Sequence, residues 1–214
     1  MAFTVNSLGT HVRRAFGDEA SIQISDDDII RWTNAGMREI LISHKVLKQK
    51  ANTSIIPGQY EYDISGLGIL QIQTIRVGNH PVEFRSFQEF EDYIQEHDPH
   101  RNAKGQPRIW YKWGDTIGFW PTPDASVSGN IDIYYIARPT EVQGMTDEIG
   151  LPDEYFNRLV EYVLGQAYEL DEDNENSGFK LGQFRQGLDI MAGDTDRPQN
   201  NLYGFITVLE EDSY

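Results

Sequence analysis

The chain has 214 residues, 39% hydrophobic and 12% aromatic, enough apolar material to fill one generous core or two small ones. Lys and Arg number 18 against 34 Asp and Glu, a net charge of −16 that disfavours tight wrapping of nucleic acid while leaving DNA possible as an object that slides past. Cysteine is absent, which excludes disulfides and thiolate-bound metals, and neither a signal-peptide apolar run nor a membrane-spanning window of roughly 20 apolar residues is found, so a soluble, non-exported protein is expected.

In chain order, Val5, Leu8, Val12, Ala15 and Phe16 recur at helical spacing behind a Thr4 or Ser7 cap, and Gly17 closes the run. A second helix is predicted from Ser25. Asp26, Asp27 and Asp28 place negative charge on the positive end of its dipole, and Ile29, Thr33, Met37, Ile40 and His44 form its stripe beside Trp32. Three adjacent acids on a helix point in different directions, so they cap rather than chelate.

From about Thr53 the period becomes two. Tyr60, Tyr62 and Ile64 alternate after Pro57-Gly58, and the stripe Leu70, Ile72, Ile75, Val77 changes face between Ile72 and Ile75, the mark of a β-bulge. Gly78-Asn79 turns the chain into Pro81-Val82-Glu83-Phe84. The capping box Ser86-Phe87-Gln88-Glu89 announces one local helix, about 87–96, with Phe87, Phe90 and Ile94 on a face. A polar loop, His97 to Gln106, precedes RIWYKWGDTIGFWP, which holds three of the four tryptophans and is hinged on Gly114-Asp115. Large rings suit a pleated, half-buried surface, so this is the most secure strand pair. Trp110, Trp113, Phe119 and Trp120, with Tyr135 from the following strand IDIYYIARP, are expected to form the aromatic core of the β region.

Pro152 stands where a first helical turn tolerates proline, and Phe156, Leu159, Val160, Val163, Ala167 and Leu170 make the next stripe. After an acidic break, Asp171 to Asn176, a last helix aligns Leu181, Phe184, Leu188 and Met191 and closes at Gly193. The remaining residues read as a polar linker followed by a strand-like run, with Leu202, Tyr203, Phe205, Ile206, Val208 and Leu209 as apolar contacts. Such an arm either tucks onto its own sheet or completes the sheet edge of a partner.

The resulting fold class is α+β: a four-helix bundle from the N- and C-terminal helices, with an inserted antiparallel β domain and an extended C-terminal arm. Its segments are 1–52 (N-terminal helices), 53–140 (inserted β domain), 151–193 (C-terminal helices) and 194–214 (arm). Packing four amphipathic helices against one another is the economical way to cover their apolar faces.

Chemical constellations are weak. His97-Asp98-Pro99-His100 sits in a loop without a third rigid ligand. Asp171 to Gly178 resembles a calcium loop only superficially, since its glycine stands at the eighth position and Gly182 occupies the twelfth. Neither a Gly-x-Ser-x-Gly elbow nor a phosphate-binding glycine loop occurs, and with 34 acids a paired-carboxylate motif carries no information. No cofactor and no enzymatic activity are expected.

The order SDDDIIRWTNAGMREIL, IWYKWGDTIGFWPTPDAS, IDIYYIARP, LPDEYFNRLVEYVLGQAYE resembles the head-to-tail adaptor (connector) proteins of tailed bacteriophages. That resemblance implies a structural virion protein at the head-tail junction, assembled in the host cytoplasm. It implies a homo-oligomeric ring, usually a dodecamer, bound to the portal protein, continuing the DNA channel with DNA only as passing cargo and presenting a surface to tail nozzle or fibre proteins; no membrane is involved. The portal-binding surface is then expected on the arm. Two alternatives remain: another tail ring (nozzle, stopper or terminator), and a cell-wall hydrolase or glycan-binding module built on the aromatic hairpin.

Overall fold

The computed structural model describes residues 3–195, with side chains as far as Met191. The protein is α+β, and its chain divides into two compact units. One takes the residues up to Gly36, Gln143–Glu148, and those from Pro152 onward; the other takes Met37–Val142 and Ile149–Leu151.

In the helical unit, α1 (Val5–Phe16) starts where the Thr4 side chain accepts from the Ser7 amide, and ends at Gly17, whose φ of 96° is open to glycine at little cost. Its stripe Val5, Leu8 and Val12 is fully buried, whereas Ala15 is exposed. The loop leading to α2 (Asp26–His44) is organised by one carboxylate. Asp18 accepts from the amides of Ile22, Gln23 and Ile24 at 2.8, 3.0 and 2.8 Å, which holds its pKa below the usual carboxylate range, the Ile24 amide contributing most. Ser25 then caps α2, its hydroxyl accepting from the Asp28 amide at 3.1 Å. A 3₁₀ turn behind Pro152 leads into α4 (Phe156–Leu170), which packs against α1 and against α5 (Asn174–Thr195). Phe3 and His11 meet Phe156, Phe16 meets Tyr168, and Tyr162 meets Phe184 edge-on at 5.1 Å. The Asp171–Gly178 stretch is a helix start: Asp173 accepts from the Asn176 amide at 3.1 Å. α5 continues past Gly193, the expected stop, to Thr195.

The second unit carries β1 (Lys48–Ser54), β2 (Glu61–Asp63), β3 (Ile69–Val77), β4 (His80–Phe84), α3 (Phe87–His97), β5 (Ile109–Trp113), β6 (Thr116–Trp120) and β7 (Asn130–Ala137). They form one seven-stranded sheet in the order β1-β7-β3-β4-β5-β6-β2. The expectation of a purely antiparallel domain is corrected: β4 and β5 run parallel, Glu83 opposite Ile109 and Phe84 opposite Trp110. The cause is α3. Parallel neighbours need a crossover, and α3 with its following loop supplies it. β1 also starts ahead of the Thr53 where alternation becomes legible, because its residues KQKANTS are almost all exposed and show no apolar period.

The β3–β4 turn places Gly78 and Asn79 at φ 56° and 68°, the two positive values of a tight type I′ hairpin. In β3 the register against β7 slips between Ile69 and Gln71 and again between Ile72 and Thr74. The second slip is the bulge expected from the change of face. Two hydrophobic clusters result. One gathers Tyr62, Ile75, Val77, Trp110, Ile117, Phe119, Ile131, Ile133 and Tyr135, and the other Phe90, Ile94, Ile109 and Tyr111 beneath α3. No helix among the described residues is long and apolar enough to cross a membrane.

Candidate functional site

The β5–β6 hairpin is a wall between these two clusters. Its alternation sends Trp110, Ile117 and Phe119 to the larger one and Ile109 and Tyr111 to the side of α3, where Trp120 packs partly buried. Trp110 and Phe119 are 4% and 1% exposed, and Tyr135 joins them from β7. Trp113 does not belong to that core: it is 65% exposed at the tip of the hairpin, touching Phe87 at a ring separation of 4.7 Å. The physical reason is position, since the strand runs past the end of α3 and the last ring has one neighbour instead of a covering layer.

Tyr111 is held from more than one strand. It faces Gly118 on β6, and Gly118 faces Glu61 on β2, so three strands place these residues in one row. The Tyr111 ring lies over Gly118, and its hydroxyl donates to the Glu61 carboxylate. Burial pushes the phenol pKa well above its ordinary value, with the Glu61 hydrogen bond adding to it. At the other end of α3, the Trp120 indole N–H donates to Asp98 at 3.1 Å, and Asp98 also accepts from the amides of Ala103 and Asn102 at 2.8 and 3.0 Å. These donors, Ala103 foremost, hold the Asp98 carboxyl below its usual range. His97 stacks on Tyr93 at 4.2 Å, with Nδ1 2.9 Å from the Tyr93 carbonyl oxygen, and Arg85 lies over the same tyrosine ring at 4.4 Å. Among the described residues no group of three or more His, Cys, Asp or Glu stands close enough to hold a metal ion.

This arrangement is a rigid scaffold with apolar features left at its surface. Phe84 sits 56% exposed on Trp110 at 4.8 Å. Elsewhere on the same unit a cavity of about 330 Å³ is lined by Leu41, Ile42, Leu70, Arg138 and Pro139, with the Arg38–Glu141 ion pair, 3.0 Å, at its side. Its polar groups are two guanidiniums and one carboxylate.

The model of the SU10 adaptor protein family matches residues 3–203, nearly the whole chain and all of its described fold. The chain belongs to that family. It is thus a phage adaptor protein, a structural component of the virion. No curated protein matches it. In this adaptor the aromatic hairpin serves as the frame of the β unit, with Trp113 and Phe84 among its exposed rings. The arm residues Leu202, Tyr203, Phe205, Ile206, Val208 and Leu209 lie outside the described residues. Sequence reasoning missed the cavity and the Glu61 acceptor. Arg138 and Pro139 stood inside a recognisable strand motif, but nothing in the chain pairs them with Ile42 and Leu70, which are distant in sequence. Glu61 could have been found by asking which polar group a ring above a glycine reaches.

Proposed function

We propose that this adaptor forms a ring, a dodecamer by analogy with head-to-tail adaptors, that joins the capsid portal to the tail and continues the DNA channel. The observation that carries the proposal is the match of the adaptor family over residues 3–203. The described architecture is compatible with it: a helical unit able to act as a bundle and wall, and a stiff sheet unit with exposed apolar features for neighbouring proteins. A net charge of −16 suits a conduit, because a wall that repels phosphate lets DNA slide. The work asked of the residues is geometry and adhesion, without bond-making.

In this proposal the arm, through Leu202, Tyr203, Phe205, Ile206, Val208 and Leu209, anchors the ring to the portal, and the β unit faces the tail nozzle or fibre proteins. Negative-stain imaging of the purified chain with and without portal tests it, with rings on the portal axis as the expected result. Deletion of residues 194–214 should leave a folded chain that no longer co-sediments with portal; unchanged co-sedimentation would sink the role given to the arm.

A further inference from the structure

α5 has two apolar faces, and among the described residues only one of them is covered within its unit. Leu181 packs over Gly165, Phe184 meets Tyr162, and Leu188 is buried, so the face carrying positions 181, 184 and 188 rests on α4. At about 100° per residue, Phe179 and Ile190 project from the opposite side, almost superposed along the axis. They are 61% and 64% exposed. Gln183 and Gln186 fall between them on that face, so three turns of helix carry no acidic side chain at the centre of the stripe, in a chain whose net charge is −16, although the Lys180 ammonium reaches in to donate to Gln183 Oε1 at 3.1 Å. Depletion of charge at the centre of an exposed patch is the compositional mark of a protein interface.

The same unit carries a feature of matching character on its other flank. α4 holds α5 through Tyr162 and Gly165 and holds α1 through Phe156 and Tyr168, on different sides of its axis. On the α1 side a groove of about 300 Å³ opens between Phe16, Gln23, Ile24, Ala167, Leu170 and Asp171. Ile22, beside it in the chain, is 83% exposed. Charge agrees as well: Lys180 leans over the Phe179 ring with its ammonium 5.6 Å from the centroid, and Asp171 lines the groove.

We propose that the outer face of α5, with Phe179 and Ile190 as anchors, docks into the Phe16–Ile24–Leu170 groove of a second copy of this chain, Lys180 pairing with that copy's Asp171. The surfaces differ and lie on opposite flanks of α4, so the contact is heterologous and repeats from copy to copy, which is what closes a ring. The inference rests on the ring reading above and supplies its subunit contact.

The absence of cysteine makes the test clean. Full-length Phe179→Cys and Leu170→Cys chains are mixed with portal under mild oxidation, and a disulfide-linked pair joining the two variants is expected. Phe179→Cys linked only to itself, or no linked product, overturns the proposal. In parallel, Phe179→Asp with Ile190→Asp should keep the far-ultraviolet circular dichroism of the parent and weaken self-association by about tenfold or more, the scale of a lost aromatic anchor. Lys180→Asp should weaken it less, and Asp171→Lys in the same chain should restore it. Undiminished association of the double aspartate variant also overturns the contact. Rings on the portal without the mixed disulfide discard this interface and leave the adaptor reading standing, whereas the mixed disulfide without portal binding does the reverse.

Discussion

Tyr111 and Glu61 meet across a strand that lies between them: the tyrosine on β5 extends over Gly118 on β6 and donates its hydroxyl hydrogen to the glutamate on β2. A Cβ at position 118 would stand 2.2 Å from a ring carbon of Tyr111, so glycine is what lets the ring lie flat and tie three strands. Gly118→Ala is therefore expected to lose about 1–3 kcal/mol, the usual cost of forcing an extra methyl into a packed site. Tyr111→Phe should lose about 1 kcal/mol, because the Glu61 carboxylate can turn to water. Urea unfolding followed by tryptophan fluorescence measures both. An unchanged midpoint for Gly118→Ala would mean the ring is not held where the geometry puts it.

The tryptophans of the hairpin should separate sharply. Trp110 is 4% exposed inside the larger cluster, and Trp110→Ala should cost about 3–5 kcal/mol as a cavity opens beneath Phe84. Trp113 is 65% exposed with one ring contact, and Trp113→Ala should cost under about 1 kcal/mol. Equal losses in thermal unfolding would contradict the assignment of Trp113 to the surface.

Two depressed carboxyls set an acid limit on the fold. Asp18 and Asp98 accept backbone amides in the native state, so their folded pKa values lie below the unfolded value of about 3.9. The folded state then binds fewer protons. Their stabilisation is fully present above that unfolded value and is lost as pH falls through the folded one. Asp18→Asn should lower the urea midpoint at pH 7, and its deficit relative to the parent should shrink as both are titrated below about pH 4. A deficit that grows on acidification would invert the sign and reject the assignment.

α3 makes the crossover that lets β4 and β5 run parallel, and its start rests on a reciprocal cap in which Ser86 accepts from the Glu89 amide and Glu89 accepts from the Ser86 amide at 2.9 Å. Ser86→Ala is expected to cost about 1 kcal/mol, while Ser86→Gly costs a few tenths. Hydrogen exchange at the first turn of α3 should report the same ranking; equal protection in both variants would show that packing on Tyr111, not the cap, holds this end.

Local signals made much of this architecture readable. Caps at Thr4, Ser25 and Ser86, the Gly17 stop, the Gly78-Asn79 turn and the bulge after Ile72 each act within a few residues, and each is where the pattern puts it. β1 was not readable, because an exposed polar strand has no hydrophobic period to betray it. Trp113 misled for a related reason. Alternation tells which residues share a face, but not how far along the strand the covering layer extends.

The chain by itself determined the α+β class, the short-range devices and the family motifs, all of which depend on spacing along one segment. Tertiary structure alone decided the parallel step at β4–β5, the row Tyr111–Gly118–Glu61, the Leu41–Leu70–Pro139 cavity and the second apolar face of α5. Each of these joins residues far apart in the chain, or depends on which face a neighbour leaves uncovered. Such relations are set by packing, and no periodicity within a single segment encodes them.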